Sequence, residues 1–442
     1  MSESERFYAE RDRRTREYGV TDVFDVPVGL VVGVDAASSV NGQFAVLALV
    51  NMLARIHRRL NLQIPPVPLY RQCLIPAGRL DEAVEALART IDPFIKLETG
   101  PIGPHAISFG VGSSATPWYV GCDGQLAIVD GQPARFDRRD RPSLGAGLAA
   151  CLAAANLLRQ VLGTQQRPVR LSAWDFREGD QATSGPMVDG PLDVGSVLQI
   201  GAGGVGLSFD YWLREFGVVG KWRVADGDPA ALHNTNRTLG LFPHDAGWPG
   251  GSGRNKATIA AELFGAEAIP HWYHEIDLDS FRPDLILPLA NEHEVRRFVG
   301  ARGEPLVLHA TTSRTWESQL HRHIPDRDDC IVCRMPEPLT QVQLTCATVP
   351  LQGGTQQSTD AALPFLSATA GLLLLSGLFR LQYGVLDEDE KNLWCVCFKD
   401  VRRHARVGTY KCREGCQATL IGSARRRIAP GRRWSHIDPA TA

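Results

Sequence analysis

The sequence predicts an α/β protein made of two similar units, and two observations carry this prediction. Each half opens with a short apolar strand, a glycine-containing loop and a long apolar helix. These read GLVVGVD, AASSVNGQ and FAVLALVNMLARI in the first half, and SVLQI, GAGGVG and LSFDYWLREFG in the second. Each half also contains an uncharged helix rich in small residues, at 144–158 and 361–379. Strands that run through a loop into a helix are typical of folds with a largely parallel sheet.

Composition sets the expected domain boundaries. The stretch 164–194 is polar, rich in glycine, proline, aspartate and arginine, and shows little periodicity, which indicates a connecting segment. We therefore expect a first unit at 1–163, a second unit at 195–416 and a basic tail at 417–442. The tail reads as solvated chain. Its five arginines are Arg425, Arg426, Arg427, Arg432 and Arg433.

Length and charge exclude several classes of protein. At about 150 residues per domain, the 442 residues suffice for roughly three domain-sized units or two large ones. The 47 basic and 49 acidic side chains leave a formal charge of −2, so no overall field favours nucleic acid or an anionic membrane. The N-terminal segment lacks the apolar core of a secretory signal. We therefore expect a cytoplasmic protein whose ten cysteines are reduced.

The uncharged stretch 361–379 is long enough to be a marginal membrane-spanning candidate. Pro364 and the polar Ser367, Thr369 and Ser376 weaken that interpretation. Because a second stretch of the same kind occurs in the first half, we expect both to be helices buried on all sides in an α/β core, with no membrane contact.

A glycine motif in the second half indicates a nucleotide site. Gly201, Gly203, Gly204 and Gly206 form G-x-G-x-x-G after a predicted strand and before a predicted helix. Glycines at these positions permit a tight turn and close approach of a phosphate to the helix N-terminus. The next strand ends in Asp226, where a carboxylate accepts hydrogen bonds from ribose hydroxyls. These features alone also fit an NAD-dependent oxidoreductase or a turn without ligand.

The segment DGDPAALHNTNRTLGLF, followed by SGRNKA, resembles the ThiF/MoeB family of adenylating enzymes, which includes the activating enzymes of ubiquitin and ubiquitin-like proteins. Asp226, Asp228, Asn234, Arg237 and Lys256 fall where that family carries an Asp-x-Asp, an Asn, an Arg and a Lys. The spacing matches the family as far as Arg237. The stretch from there to Lys256 is longer than in the family.

The resemblance implies binding of ATP and Mg²⁺. In it Asp226 holds the ribose, Asn234 holds a phosphate, and Arg237 and Lys256 neutralise the charge that builds up when a carboxylate attacks the α-phosphate. A hydride-transfer enzyme has no need of this set. The family also places a magnesium-organising aspartate at the end of a later strand.

At that position the segment DLILPLANEHEVRRFV has Asn291, with Glu292 beside it, and this is a departure from the family. An asparagine carbonyl is an acceptable ligand for Mg²⁺ but brings no charge. Glu292, Glu294 or Asp228 are therefore alternative magnesium ligands. What the departure puts in doubt is the efficiency of adenylation.

Four cysteines lie in two close pairs. Cys330 and Cys333 form C-x-x-C, and Cys412 and Cys416 form C-x-x-x-C. Paired thiolates of this kind are typical of a structural, tetrahedral Zn²⁺ site. The ThiF/MoeB family carries similar pairs, although its second pair is usually C-x-x-C. Redox-active or unrelated buried thiols are the alternative.

Cys346 lies thirteen residues after the first pair, just before the predicted buried helix. The resemblance implies that this position holds the cysteine that accepts an acyl group as a thioester, for which the thiolate must form. The other cysteines carry no such signal. Cys395 and Cys397 are reserve zinc ligands, and Cys73, Cys122 and Cys151 are expected to pack in the core.

The first half lacks the glycine motif, having Asp35 to Gly42 in its place, and lacks the Asn, Arg and Lys set. Its opening, RFYAERDRRTREYG, resembles the family's N-terminal segment, which lends an arginine to the ATP site of a partner unit. Arg13 or Arg14 is the matching residue. A charged helix in solvent is the alternative.

Taken together, the resemblance implies two Rossmann-like units packed as an internal pseudo-dimer, an inactive half fused to an active one, as in bacterial ubiquitin-activating-enzyme-like proteins. The implied activity is adenylation of the C-terminal glycine of a ubiquitin-like protein, thioester formation on Cys346 and transfer to a conjugating-enzyme-like partner. Bacterial operons of this kind are associated with defence against phage.

Three alternatives stay open at this point. A sulfur-carrier adenylyltransferase of thiamine or molybdopterin type would use the same ATP site. A catalytically dead scaffold would explain Asn291. An NAD-dependent oxidoreductase would leave Arg237, Lys256 and the cysteine pairs unexplained. An oligomer is possible, but the internal pseudo-dimer does not require one.

Overall fold

The computed structural model of the chain shows two mixed sheets with helices packed against and between them. The residues that the structure describes are 1–13, 22–102, 107–112, 116–137, 139–164, 166–277, 281–325, 327–335, 348–352, 358–386, 390–399, 404–416 and 433–434.

The first sheet has seven strands in the order β3-β2-β1-β4-β5-β6-β7. The first five strands in this order, from β3 through β2, β1 and β4 to β5, run parallel to one another, and β6 and β7 are each antiparallel to the strand before them. The strands are β1 Val28–Val32, β2 Arg59–Gln63, β3 Lys96–Thr99, β4 Ile107–Val111, β5 Tyr119–Asp123, β6 Leu126–Asp130 and β7 Val169–Ser172. The helices of this half are α1 Glu3–Arg11, α2 Val34–Ala37, α3 Val40–Ile56, α4 Leu80–Ile91 and α5 Leu144–Val161.

The second sheet has eight strands in the order β10-β9-β8-β11-β12-β13-β16-β17, and β14 and β15 form a separate antiparallel pair. The strands are β8 Leu192–Ile200, β9 Val218–Ala225, β10 Glu267–Ile269, β11 Leu285–Pro288, β12 Val307–Ser313, β13 Glu317–His323, β14 Thr348–Gln352, β15 Ser358–Ala362, β16 Leu393–Cys397 and β17 Ala405–Gly408. The helices are α6 Gly204–Phe216, α7 Lys256–Phe264, α8 His293–Arg302, α9 Ile331–Arg334 and α10 Pro364–Gln382.

The two sheets repeat one topology. In sheet order, the first five strands of each sheet are parallel, β3-β2-β1-β4-β5 in the first and β10-β9-β8-β11-β12 in the second. The sixth strand, β6 or β13, is antiparallel to the fifth. In each unit the long uncharged helix, α5 or α10, follows that antiparallel strand and precedes the next one in the sheet. The prediction of two related α/β units with largely parallel sheets is therefore confirmed.

Local sequence signals set where several helices begin and end. Ser39 and Ser143 precede α3 and α5, and each hydroxyl accepts a backbone N–H from the first turn, as is typical of helix N-caps. Pro364 opens α10, where its missing N–H costs no helical hydrogen bond. Gly265 ends α7 in the left-handed conformation that favours glycine.

The long apolar helices α5 and α10 pack against each other where the two units meet. By length and composition both α5 and α10 could cross a membrane, but 89% and 100% of their apolar windows are buried inside the protein. A Cβ added at Gly147 of α5 would lie 3.3 Å from Leu372 of α10 and 3.4 Å from Trp212 of α6. Because α5 and α10 lie this close, the interpretation as core helices fits the structure.

One boundary differs from the expectation. Strand β7 lies inside the stretch predicted to be a connecting segment, and it is the edge strand of the first sheet. Val169 and Leu171 are buried and alternate with the exposed Arg170, which is a strand pattern, but the flanking prolines and arginines hide so short an alternation. The second sheet begins at Leu192, three residues before the predicted start.

The basic tail also differs from the expectation at one of its two described residues. Arg433 donates a hydrogen bond to Asp193 Oδ1 at 3.1 Å, and the side chain of Trp434 is buried. The prediction of a solvated tail is therefore wrong at Trp434, whereas Arg433 is exposed. A tryptophan adds a large apolar area to the core when buried, and the arginine-rich sequence around it concealed this anchor.

Candidate functional site

The glycine turn between β8 and α6 is so tightly packed that a side chain would not fit at Gly201 or Gly206. Gly201 has a φ of +104°, and a Cβ there would lie 2.5 Å from the Ala290 nitrogen. A Cβ on Gly206 would collide with the carbonyl oxygen of Gly201, whereas nothing lies within 4 Å of a Cβ built on Gly203. Helix α6 has no side-chain cap at Gly203. Its first N–H groups therefore lie at an open turn, which suits an anion.

Asp226, directly after β9, ties the glycine turn to the next strand. Its carboxylate accepts hydrogen bonds from the N–H of Ala202 at 2.7 Å and the N–H of Asp228 at 2.8 Å. Burial raises the pKa of Asp226, and the Lys256 ammonium offsets part of that effect. The carboxylate thus lies beside the turn, where a ribose hydroxyl would be placed.

Lys256 and Asp228 form an ion pair at this edge of the sheet, with Nζ 2.8 Å from Oδ2. The Lys256 side chain is 12% exposed and that of Asp228 is 46% exposed. Asn255 places them: its Oδ1 accepts the N–H groups of Ala257 and Thr258, and its Nδ2 donates to the Asp226 carbonyl at 2.9 Å. The N-terminus of α7 is therefore clamped to the segment after β9.

Arg237 lies against the glycine turn. It is 6% exposed, and its Cγ and Cδ lie 3.7 Å from a Cβ built on Gly204. Its Nη1 donates to the His233 carbonyl at 2.8 Å. Asn234 starts the same segment, and its Oδ1 accepts the Ala231 N–H at 3.0 Å. The structure thus brings the glycine turn, Asp226, Arg237 and Lys256 into one region, although 55 residues of sequence separate Gly201 from Lys256.

Asn291 follows β11 at the same edge. Its neighbour Ala290 donates its N–H to Ile200 at 2.9 Å and packs on Gly201, which places Asn291 next to the glycine turn. Asn291, Glu292 and Glu294 are all exposed. Amide and carboxylate oxygens are donors of the kind that Mg²⁺ prefers, but the carboxylates of Asp228, Glu292 and Glu294 do not form a metal-sized cluster in the part of the chain that the structure describes.

Two predicted catalytic residues, Arg14 and Cys346, lie outside the described residues. Arg13 is half-exposed and pairs with Glu10 at 3.3 Å. The Glu10 carboxylate is in turn 3.9 Å from His233 Nδ1, and the ring of Phe7 lies 5.4 Å from that of Trp248. Helix α1 of the first unit therefore packs on the second unit beside the segment that carries Asn234 and Arg237.

The cysteine pairs converge as predicted. The sulfurs of Cys330 and Cys333 each lie 3.6 Å from that of Cys416, and all four ligand atoms, including Cys412 Sγ, lie within 4.8 Å of one another. A tetrahedral zinc with Zn–S bonds of about 2.3 Å needs sulfurs about 3.8 Å apart. The four thiols therefore fit Zn²⁺.

The reserve ligands lie elsewhere. Cys395 is buried, with Arg406 Nη2 donating to its sulfur at 3.8 Å, while Cys397 Sγ lies 3.7 Å from Glu317 Oε1. Neither belongs to the cysteine cluster among the described residues. Of the cysteines expected to pack, Cys122 and Cys151 are buried and Cys73 is partly exposed.

The corresponding turn of the first unit is filled by its own residues. The short helix α2 occupies it, and a Cβ on Gly42 would collide with the Ala36 carbonyl. The Asp137 carboxylate accepts a hydrogen bond from Asn41 Nδ2 at 2.7 Å near the start of α3. An anion from the protein itself thus lies where the second unit is open.

Three residues were not predicted from the sequence: two lie beside the glycine turn or Asp226, and one contacts the segment that carries Arg237. The Trp272 indole is 42% exposed and lies 2.7 Å from a Cβ built on Gly227, between Asp226 and Asp228. The buried Ser367 hydroxyl lies 3.1 Å from a Cβ built on Gly204. The third, Arg55, comes from the first unit. An aromatic residue just after β10 was the only sequence signal for Trp272, and Ser367 and Arg55 gave none.

No family model matches the chain. An uncharacterised protein of Sinorhizobium fredii, y4jF, is 28% identical over 215 residues, which cover 46% of this chain and 39% of that protein. The chain thus spans about two fifths of the length of this curated relative.

Among solved structures, E. coli MccB with ATP aligns at 14% identity and a TM-score of 0.39, covering 51% of this chain and 66% of that chain. The microcin C7 biosynthetic enzyme MccB in complex with N-formylated MccA aligns at 14% identity and a TM-score of 0.38, covering 51% and 67%. Likeness at this level shows no activity, substrate or partner for this chain.

Proposed function

We propose that the chain is an ATP-dependent adenylating enzyme of ThiF/MoeB type that activates the C-terminal carboxylate of a small protein or peptide. One observation carries the proposal: Arg237 packs against the glycine turn at Gly204, and Lys256 lies close enough to Asp226, which bonds the same turn, to lower the pKa of its carboxyl against the effect of burial. A hydride-transfer enzyme has no use for the two cations, which disfavours the NAD-dependent alternative.

The reaction follows from these groups. A carboxylate oxygen of the substrate attacks the α-phosphorus of ATP, the bond between that phosphorus and the bridging oxygen breaks, and pyrophosphate leaves with the bond electrons. The N–H groups at the start of α6 and the Arg237 guanidinium stabilise the charge on the α-phosphate, and Lys256 stabilises the departing pyrophosphate. Asn234 binds a phosphate oxygen. Asp228, Asn291 and Glu292 are the oxygen ligands available to Mg²⁺, which neutralises phosphate charge when bound.

The first unit acts as the inactive half of an internal pseudo-dimer in this proposal. Its own turn is filled by α2, and its N-terminal helix packs beside Asn234 through the contact of Glu10 with His233. This packing supports Arg13 or Arg14 as the cation that the first unit lends to the triphosphate. The boundaries of the two units are proposed as 1–163 with β7 added, and 195–416 extended to Leu192, where β8 begins.

The substrate we propose is a ubiquitin-like protein ending in glycine, as in bacterial antiphage conjugation systems. After adenylation, the Cys346 thiolate attacks the acyl carbon, AMP leaves, and the thioester passes to a conjugating-enzyme-like partner. Position supports this role: Cys346 lies in the chain between the zinc-type pair Cys330 and Cys333 and helix α10, whose Ser367 touches the glycine turn. The zinc would be structural. The fused inactive half disfavours the sulfur-carrier alternative.

A catalytically dead scaffold is the second candidate. Asn291 favours it, because it lies next to the glycine turn where the family has a magnesium-binding aspartate. Such a protein would keep the fold and the cysteine cluster and would bind nucleotide without turning it over.

Pyrophosphate exchange separates the candidates. The protein is incubated with ATP, labelled pyrophosphate and a ubiquitin-like protein encoded beside it, and label is followed into ATP. We expect exchange that depends on the partner's C-terminal glycine and that Arg237→Met abolishes. Arg89→Met, which removes an exposed arginine paired with Glu85 on α4, is the matched control. Absence of exchange with every neighbouring small protein would favour the scaffold.

A further inference from the structure

A buried arginine of the first unit holds the phosphate-site segment of the second. Arg55 lies in the last turn of α3 and is 2% exposed. Its Nη1 donates to the carbonyl oxygens of Thr235 and, at 2.9 Å, Leu241. Its Nε and Nη2 donate to Asn51 Oδ1 at 3.1 and 2.9 Å. The two carbonyls that it binds lie on either side of Arg237 in the chain.

The segment that Arg55 holds has little structure of its own. Its internal backbone hydrogen bonds are long, with Arg237 N–H to Asn234 O at 3.3 Å and Leu241 N–H to Thr238 O at 3.4 Å. From the opposite side, Ser208 of α6 accepts the Leu239 N–H at 3.3 Å. The conformation of the segment therefore depends on contacts from α3 of one unit and α6 of the other.

Burying an arginine at this position costs free energy, because its charge loses contact with water. Burial disfavours the charged form and lowers the pKa of Arg55 to about 9. A neutral amide would satisfy one or two carbonyls without that desolvation. A shorter amide has too few N–H donors to replace the planar guanidinium, whose five donors allow Arg55 to bond Asn51 on α3 and two carbonyls of the other unit at the same time.

We propose that Arg55 is a positioning residue for the nucleotide site, through which the first unit fixes Asn234 and Arg237 of the second unit against the glycine turn. This inference rests on the proposed function. It gives the first half a role separate from lending an N-terminal cation, because Arg55 bonds backbone oxygens and acts through Arg237.

The test compares Arg55→Met and Arg55→Lys with Arg71→Met. Arg71 is a matched control because its Nη2 also donates to a carbonyl of the second unit, that of Glu215 at 2.9 Å, but at the far end of α6. Pyrophosphate exchange is measured against ATP concentration. Misplacement of a phosphate ligand by about 1 Å costs on the order of 100-fold. Because Asn234 and Arg237 are proposed to act on the phosphates both in bound ATP and during the attack, we expect Arg55→Met to lower kcat/KM for ATP by roughly 10- to 100-fold, with a rise in KM as well as a fall in kcat. We expect Arg55→Lys to recover part of the loss, and Arg71→Met to resemble the parent.

Amide hydrogen exchange supplies a readout that does not need turnover. Faster exchange of the amides of 235–242 in Arg55→Met, with those of α6 unchanged, supports the inference. If Arg55→Met does not fold, Asn51→Ala, which removes only the anchor of the guanidinium on α3, is measured in the same two ways. An unchanged KM for ATP together with unchanged amide hydrogen exchange at 235–242 overturns the inference.

The inference and the proposed function fail differently. A parent protein that neither binds ATP nor exchanges pyrophosphate refutes the proposed function whatever Arg55 does. A parent that is active, with folded Arg55 variants that keep the same KM or lose only kcat and stability, leaves the proposed function intact and refutes the positioning role.

Discussion

Lys256 Nζ lies 2.8 Å from Asp228 Oδ2, so a cation of the proposed nucleotide site is paired with a carboxylate of the chain itself. The Lys256 side chain is nearly buried, but solvent screens the pair from the side of the half-exposed Asp228. The ammonium can therefore leave Asp228 at little cost when a more highly charged triphosphate arrives, and Asp228 then becomes available to a metal ion.

This pairing predicts that Lys256 matters for activity and little for stability. We expect Lys256→Met to lower the free energy of unfolding by no more than about 2 kcal/mol and to reduce pyrophosphate exchange by roughly 100-fold or more. Chemical denaturation and exchange assays measure the two effects. A variant that is fully active, or one whose loss of activity follows entirely from unfolding, would contradict the prediction.

The four convergent thiols predict one structural zinc per chain. We expect zinc to co-purify with the protein and to be lost in Cys416→Ala. Zinc sites contribute about 10 kcal/mol or more in small zinc-finger peptides, so Tm is expected to fall by well over about 10 °C. Metal analysis and calorimetry provide the readouts. Cys397→Ala is the control, since this cysteine lies outside the cluster. Zinc-free protein with a normal Tm would show that the thiols are merely close.

Asp210 predicts a pH-dependent stability difference. Its carboxyl is fully buried on α6 and accepts a hydrogen bond from Gln199 Nε2 at 3.1 Å, and burial raises its pKa well above the ordinary range. A carboxyl of raised folded pKa favours folding below the unfolded value of about 3.9 and loses that contribution as pH rises toward the folded value. We therefore expect Asp210→Asn to gain stability relative to the parent as pH rises from about 4 to 8.

Denaturation midpoints of the two proteins across that pH range give the measurement. Asp123→Asn, at an exposed position, controls for the loss of one surface charge. A difference that stays constant or shrinks with rising pH would mean that Asp210 is ionised in the folded protein.

Cys346 predicts a division between the two chemical steps. We expect Cys346→Ala to lose a partner adduct that is cleaved by added thiol on non-reducing gels, and to keep pyrophosphate exchange within about 3-fold, because the thiol enters only after the adenylate has formed. Loss of exchange in a folded Cys346→Ala protein would refute this order. A thiol-stable adduct would point to a different bond.

Much of the fold and part of the site could be predicted because the signals are local. The strand, loop and helix pattern of each half predicted both units, and the close pairing of Cys330 with Cys333 and Cys412 with Cys416 predicted the cluster. Strand β7 was not predicted because its four residues give too short an alternation of buried and exposed positions among prolines and arginines. The burial of Trp434 was not predicted because the arginine-rich sequence around it resembles a solvated chain.

Arg55 and Ser367 could not be predicted from the sequence for a different reason. Arg55 and Thr235 are 180 positions apart, and no pattern near either residue encodes their contact. Their hydrogen bond exists because α3 of one unit packs against an irregular segment of the other, and such packing is a property of the assembled units. The same holds for Ser367, which reaches Gly204 only because α10 lies beside α6.

Helices α5 and α10 belong to one continuous apolar interior that runs through both repeats. Cutting the polypeptide in the polar stretch that follows β7 would leave each fragment with a bare hydrophobic surface, so neither is expected to remain soluble when produced alone. Co-production is expected to rescue them as a stable complex. Each unit is therefore expected to depend on the other for its own stability.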